Sequence, residues 1–183
     1  MQPPRSARGR SQRPRPDAAG ADRTDAPTPA GDDPGLAVRR HAVDILAAVL
    51  DDGRPLDQVL DHRATIPAFR ALTPADRGLV RAIVSTTLRR LGLVADALKR
   101  LMSRPLPNKA TRVRHILRVG ATQLLFLDTP DHAAVSLATE LAARDRMLQP
   151  WKALVNGVLR SLAREKATIL AAQDATRLVT PLW

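Results

Sequence analysis

The side chains of this sequence best suited to chemistry are its arginines and lysines. There are 29 of them against 18 Asp and Glu, which gives a formal net charge of +11. Guanidinium and ammonium groups bind phosphate, and a charge of this size attracts polyanions by releasing their counterions. RNA or DNA is therefore the predicted partner, and a basic surface that only aids solubility is the alternative. Aromatic residues make up 2% of the chain, so binding should rest on phosphate contacts more than on base stacking.

Catalytic and metal chemistry have less support. The chain has no Cys, which excludes disulfides, thiolate metal sites and a cysteine nucleophile within it. No glycine pair precedes a Lys-Ser/Thr as in a Walker-type loop. The four histidines lack metal-ligand spacing and a carboxylate partner pattern, so each is expected to be a surface or packing residue. These are His41, His62, His115 and His132. We predict a chain that is not an enzyme by itself and needs no cofactor or metal.

The basic character belongs to the part of the chain that is expected to fold. Residues 1–35 hold seven of the 15 prolines and show no apolar periodicity, which predicts a disordered leader. Its six Arg and five Asp nearly cancel, so about +10 of the charge lies beyond it. The arginines of the leader could hold phosphate or only aid solubility. Nothing in the sequence has the form of a secretory signal or a membrane span, and a cytoplasmic location is expected.

The predicted fold is centred on residues 113–141. Apolar residues recur there at spacings of three and four, which predicts a buried helix. Gly120 lies inside this apolar stripe, where a glycine usually allows another helix to approach. Asp128-Thr129-Pro130 should form a hinge and begin a second helix. We therefore predict an all-α bundle built around this pair of helices.

The remaining segments fit the same fold class. Helices are predicted at 36–50, 55–61, 93–102 and from Pro150 onward, with a loop at 62–71. Another helix should begin at Thr73-Pro74, with Thr73 as the cap and Asp76 three residues later. Cations on the outward sides of these helices are candidate phosphate ligands. The cations near the start of the first helix lie at the positive end of its dipole, which is unfavourable unless they bind an external anion. The candidate phosphate ligands are Arg39, Arg40, Arg81, Arg89, Arg90, Lys109 and Arg112.

Three segments carry more specific information than the helical spacing does. They read LTPADRGLVRAIVSTTLRRLG (72–92), ILRVGATQLLFLDTPDHAAVSLATELA (116–142) and WKALVNGVLR (151–160). Together they resemble the NusB family, and more closely the NusB-like N-terminal domain of RsmB-type ribosomal RNA cytosine-C5 methyltransferases. The resemblance covers about residues 36–166 and implies a bundle of about seven helices that binds RNA. Residues 167–183 resemble the linker that leads into the catalytic domain of those enzymes.

The resemblance also implies particular RNA-binding residues. Arg39 and Arg40 match the arginine-rich beginning of NusB, and Arg118 and Gln123 fall on polar positions of the family's central helix. Asn156 lies within the Val-Asn-Gly-Val-Leu motif.

Two further residues complete the predicted RNA site. Arg160 follows the same motif, and His132 is the one histidine we would test for RNA contact, because it lies just past the hinge proline. Chemistry alone favours plainer roles for some motif residues. Asn156 would more often bond a neighbouring helix end or loop, Gly157 would permit close packing, and Arg118 could equally be a structural ion-pair partner.

Three functions stay open from the sequence. In free NusB the RNA is the antitermination boxA element, bound with a small ribosomal protein, whereas in the methyltransferase the domain helps to hold rRNA. Asp131 stands where NusB commonly has an aromatic residue, and Ser136-Leu137 replaces its Asn/Ser-Glu pair. These departures weaken the case for specific boxA recognition. Leu88-Arg89-Arg90 and Val158-Leu159-Arg160 instead favour the non-catalytic, rRNA-binding part of a methyltransferase over a stand-alone antitermination factor. The third hypothesis is a helical protein–protein scaffold.

Overall fold

The computed structural model describes residues 33–179, with side chains up to residue 172. Over this range the chain is helical without a strand, which confirms the all-α prediction. The α-helices are α1 (Pro34–Leu50), α2 (Leu56–Thr65), α3 (Pro67–Arg70), α4 (Pro74–Arg89), α5 (Leu91–Leu101), α6 (Thr111–Phe126), α7 (Asp131–Arg144) and α8 (Lys152–Val179). A 3₁₀ turn at Gln149–Trp151 precedes α8. The predicted leader lies outside the described residues up to residue 32.

Helix α6 is the centre of the bundle, as predicted. It packs against α1, α4, α5, α7 and α8, and its Leu117 and Leu124 are fully buried. A helix surrounded on nearly all sides must bury its few polar groups with partners. Thr122 does so, because its hydroxyl lies 2.8 Å from that of Thr87 on α4. The hinge after α6 ends at Pro130, and α7 follows without a side-chain cap.

The start of α4 follows the capping-box pattern. The Thr73 hydroxyl oxygen accepts a hydrogen bond from the Asp76 backbone N–H at 3.1 Å and donates to the Asp76 carboxylate at 2.7 Å. Pro74 occupies the first helical position, where its missing N–H costs nothing. The helix start predicted here is confirmed.

The loop predicted at 62–71 is wrong. Helix α2 continues to Thr65, and the short α3 occupies most of the remainder. Two apolar residues order this segment, since Val59 and Phe69 are both buried in the common core. Pro67 separates the helices by holding Ile66 in an extended conformation.

Two further differences concern the first and last helices. Asp33 accepts a hydrogen bond from the Gly35 N–H at 2.8 Å, so α1 begins two residues before the predicted start. Helix α8 continues to Val179, past residue 166, where the folded domain was predicted to end, and Ile169 is still buried. The domain boundary itself stays a prediction. Among the described residues, no helix combines the length and apolar character needed to cross a membrane.

Candidate nucleic-acid interface

The excess positive charge is confined to one part of the fold. Residues 77–127, which run from α4 to the end of α6, contain eleven Lys and Arg against one acid, Asp96. By contrast, residues 33–76 have five basic and seven acidic residues, and residues 128–172 have six and five. We call residues 77–127 the basic stretch. Counting acids by segment would have identified it from the sequence.

Several predicted phosphate ligands of the basic stretch face solvent. Arg81 and Arg89 on α4 and Lys109 before α6 are exposed. Arg90 is partly covered, because its guanidinium carbon lies 5.3 Å from the centre of the Phe126 ring. This cation–π contact ties the start of α5 to the end of α6. Exposed cations in the same stretch that the sequence analysis missed are Lys99, Arg100 and Arg104.

Arg112 has a structural role in the bundle. Its guanidinium bonds Asp44 of α1 at 2.8 Å and lies 3.8 Å from Asp145 beyond α7. Arg63 of α2 reaches the other oxygen of Asp44 at 3.3 Å. This network compensates the Arg112 charge within the fold. Arg40 lies close by, in a cavity of about 360 Å³ that Arg112 and Asp145 also line.

Two predicted RNA ligands are buried, and the outward position expected for Arg39 is wrong. Arg39 is 6% exposed and donates a hydrogen bond to the Gly35 carbonyl at 3.1 Å. Burial lowers the pKa of its guanidinium from the ordinary value. Gln123 is fully buried, and its amide nitrogen donates to the Val119 carbonyl at 3.1 Å. Both side chains are buried because α1 and α6 are packed on more sides than a one-sided stripe predicts.

Arg118 belongs to a chain of polar contacts that the sequence did not predict. It approaches Nδ1 of the fully buried His115 at 3.3 Å, while Nε2 of His115 lies 2.8 Å from the Asp51 carboxylate. Because a guanidinium can only donate, Nδ1 accepts, and the imidazole proton is assigned to Nε2, which donates to Asp51. The expectation that no histidine has a carboxylate partner is wrong for His115. Its partner Asp51 lies 64 residues away in the sequence, so no local pattern indicated it.

Electrostatics keep this histidine neutral. Burial lowers the pKa of His115 and outweighs the opposite effect of Asp51. The pKa of Arg118 is lowered as well, first by burial and then by repulsion from Arg114. Arg118 therefore bonds a neutral ring, and the described structure gives it no carboxylate within ion-pair distance.

Three other predicted residues meet in one place. His132, Asn156 and Arg160 line a cavity of about 670 Å³ between α7 and α8, which we call the α7–α8 groove. The Asn156 amide makes no hydrogen bond to a described residue, so the expected bond to a helix end or loop is not found. Gly157 is exposed, and a Cβ there would meet nothing within 4 Å. The expectation that Gly157 permits close packing is therefore wrong.

The α7–α8 groove is basic after its ion pairs are considered. Its acids are Asp131 and Glu140. Lys166 lies 3.7 Å from Asp131, and Arg144 bonds Glu140 at 2.6 Å. Because both acids of the groove are paired, Arg160 adds positive charge that they do not compensate. Two further cations of the groove, which were not predicted from the sequence, do the same. These two are Lys152 and Arg164.

The other titratable groups of the described structure do not cluster as metal ligands do. No group of three or more His, Asp or Glu that could hold a metal ion occurs among the described residues. His41 is buried, with its ring edge-on to Phe69 at 5.2 Å between centroids, which fits the predicted packing role. His62 is exposed on α2, as a surface residue should be.

Comparison with known proteins agrees with this fold. A family model described as the NusB family matches residues 36–164. The ribosomal RNA small subunit methyltransferase B of Cronobacter sakazakii is 32% identical over 151 residues, which cover 81% of this chain and 34% of the relative. The proteins of the same name from Salmonella arizonae and Salmonella newport are 32% identical over 149 residues, covering 80% of this chain and 33% of each relative. The chain thus spans about a third of the length of these relatives.

Proposed function

The chain belongs to the NusB family, and we propose that its helical part binds RNA as the non-catalytic, rRNA-holding part of an rRNA cytosine-C5 methyltransferase. The observation that carries this proposal is the composition of the basic stretch, which contains eleven Lys and Arg and one acid. Such a concentration of like charge repels itself within the fold, and a polyanion relieves that repulsion. The relatives named as rRNA methyltransferases support rRNA as the class of polyanion.

Binding proceeds mainly through phosphates. Arg81 and Arg89 are exposed eight residues apart on α4, and Lys99, Arg100 and Arg104 extend the charge along α5 and the following loop. Each cation that neutralises a phosphate releases condensed counterions, which supplies affinity without reading the base sequence. The low aromatic content supports this mode over a stacking platform. Specificity then comes from RNA shape and from a few contacts in grooves.

We assign the methyl transfer to residues outside this chain. Attack on C6 of a cytosine, which activates C5, uses a cysteine thiolate, and this chain contains no Cys. The chain spans about a third of the methyltransferase relatives, which leaves room for a separate catalytic domain in proteins of that kind. In this arrangement the NusB-like part raises the effective concentration of the RNA at the catalytic centre. We also place this function in the cytoplasm, where bacterial ribosomes are assembled.

A comparison of RNAs tests the proposal. Fluorescence anisotropy would measure the affinity of the chain for a small-subunit rRNA helix fragment and for a boxA-type RNA of equal length, with and without a small ribosomal protein. We expect the rRNA fragment to bind at least as tightly as boxA, without help from the protein. A boxA preference that the ribosomal protein strengthens would instead identify an antitermination factor. Failure of both RNAs to bind at low salt would contradict RNA binding and favour a protein scaffold.

A further inference from the structure

A second cavity lies within the basic stretch. It has a volume of about 480 Å³ and is bordered by α5, the loop at 102–110 and α6; we call it the α5–α6 cleft. Its apolar floor includes Leu98 and Leu117, which are buried, and Met102 and Leu106, which are half-buried. The volume falls within the range of roughly 300–1,000 Å³ that is typical of small-ligand sites.

The charge of this cleft is of one sign. Its charged lining residues are Lys99, Arg114 and Arg118, and none of the described residues that line it is acidic. Four other cavities in the described part of the fold each include at least one carboxylate. The α7–α8 groove, for example, has Asp131 and Glu140. The α5–α6 cleft therefore combines an apolar floor with a positive potential that no lining acid offsets.

The two arginines of the cleft are held by neutral partners. Arg114 donates to the Pro107 carbonyl at 3.4 Å, and Arg118 donates to the His115 imidazole at 3.3 Å. These bonds position the guanidinium groups without neutralising them. Arg118 lies in a partly desolvated site beside a like charge, Arg114, and the Asp51 carboxylate, which is bonded to His115, offsets only part of that effect. Such an arrangement lowers the stability of the fold when no ligand is bound, and a bound anion would offset that loss.

We propose that the α5–α6 cleft binds one unpaired nucleotide of the RNA, with the base on the apolar floor and the phosphate at Arg114 and Arg118. The proposal rests on the proposed RNA-binding function and adds a subsite to it. Unpaired bases bind proteins by contact with apolar side chains and by stacking on guanidinium planes. The side chain of Met102 is flexible and its thioether is polarisable, so it can pack against bases of different shape.

The floor of the cleft distinguishes this ligand from other anions. Inorganic phosphate would use the arginines and leave Leu98, Leu106 and Leu117 without a partner, whereas a nucleotide uses both parts of the cleft. An acidic peptide is the remaining occupant, but its carboxylates would use the arginines without placing a flat ring on the apolar floor. A nucleotide uses both parts of the cleft, because its phosphate can bind the arginines while the apolar face of its base lies on the floor.

A matched pair of methionine variants tests the subsite in the full chain. Met102 lines the cleft, whereas Met147 is 80% exposed beyond α7. Met102→Glu and Met147→Glu change the net charge equally, but only Met102→Glu places a negative charge within the basic stretch. Each variant is therefore measured on a fluorescent single-stranded RNA and on the duplex made by annealing its complement. We expect Met102→Glu to weaken binding of the single strand by about tenfold relative to Met147→Glu, and to weaken binding of the duplex, which has no unpaired base, by clearly less.

A second pair fills the cleft without changing charge. Ala95 is an exposed residue of α5 that borders the cleft, and Ala64 is an exposed residue of α2 outside it. Ala95→Leu should lower single-strand affinity and Ala64→Leu should not, with the helical content measured by circular dichroism unchanged in both. A 4-thiouridine placed in the single strand should photocrosslink to peptides that contain Met102 or Arg118.

The outcomes separate the subsite from the general function. If wild type binds RNA, but Met102→Glu and Met147→Glu weaken single-stranded RNA equally, the subsite is overturned and RNA binding stands. If wild type binds neither RNA at low salt, the proposed function itself has failed. A Glu-rich peptide that loses affinity in Met102→Glu, while single-stranded RNA keeps its own, would overturn the nucleotide in favour of a protein partner.

Discussion

Gly120 of α6 lies directly against Leu159 of α8. A Cβ built at Gly120 would come within 2.6 Å of one methyl carbon of Leu159 and 3.0 Å of the other. Leu159 is fully buried, so its side chain has little room to move aside. The glycine costs helix propensity, roughly 1 kcal/mol against Ala, and in return it allows the central helix and the last helix to pack at this point.

We expect Gly120→Leu to lower the free energy of unfolding by about 1–3 kcal/mol, because the added side chain overpacks the α6–α8 contact. Urea unfolding would measure it. Gly157→Leu is the matched control on α8, since nothing lies within 4 Å of a Cβ there, and it should be neutral or stabilising. A Gly120→Leu variant as stable as wild type would show that the two helices do not pack closely at this point.

Arg39 should contribute to the stability of the fold and not to RNA binding. Arg39→Ala removes the bond to the Gly35 carbonyl and the packing of a buried stem, so we expect a loss of about 1–2 kcal/mol of unfolding free energy. RNA affinity per folded molecule should be unchanged, because the side chain is 6% exposed and its guanidinium is committed to the Gly35 carbonyl. Thermal unfolding and an RNA titration of the same preparation would test both. A folded Arg39→Ala protein with severalfold weaker RNA binding would contradict this assignment.

The neutral state of His115 predicts a pH dependence of stability. Its folded pKa is lowered from 6.5 by burial, so below about pH 6.5 the unfolded chain binds the proton more readily than the folded chain. Stability should fall as the pH drops from 7 through this range. His41 acts in the same direction, since burial lowers its pKa too.

Chemical unfolding at several pH values would test this. His115→Gln should reduce the loss of stability between pH 7 and pH 5. An identical pH profile for His115→Gln and wild type would mean that the folded state protonates His115 as readily as the unfolded state does.

The α7–α8 groove should contribute to RNA affinity separately from the basic stretch. Lys152 and Arg160 line it without a carboxylate partner among the described residues. We expect the double variant Lys152→Ala and Arg160→Ala to weaken RNA binding several-fold, because phosphate contacts of this kind each contribute modestly. The double variant Arg54→Ala with Arg70→Ala is the charge-matched control, since both arginines are exposed outside the groove. Equal affinities of the double variant and wild type would exclude the groove from the interface.

The sequence predicted the fold better than it predicted the site. Helical spacing identified α6 and α7 because apolar periodicity is a local signal. The same signal misplaced Arg39, since a stripe tells which face is apolar and not how many neighbours surround a helix. Gln123 was selected by the resemblance, which does not show whether a side chain is buried. The partnership of His115 and Asp51 joins residues 64 positions apart, and no local pattern encodes it. Val59 and Phe69 similarly order a segment predicted as loop through contacts that only the tertiary structure supplies.

The salt dependence of RNA binding tests the central claim most directly. The slope of log affinity against log salt concentration reports the number of neutralised phosphates, at roughly 0.7–0.9 per contact. Arg81→Ala with Arg89→Ala removes two exposed cations of the basic stretch. Arg54→Ala with Arg70→Ala removes two exposed arginines outside it.

We predict that the Arg81 and Arg89 double variant binds an rRNA helix fragment with a slope shallower by about 1.5, while the Arg54 and Arg70 double variant keeps the wild-type slope. Equal slopes for the two double variants would contradict the account, because the basic stretch would then not be the surface that meets the phosphates.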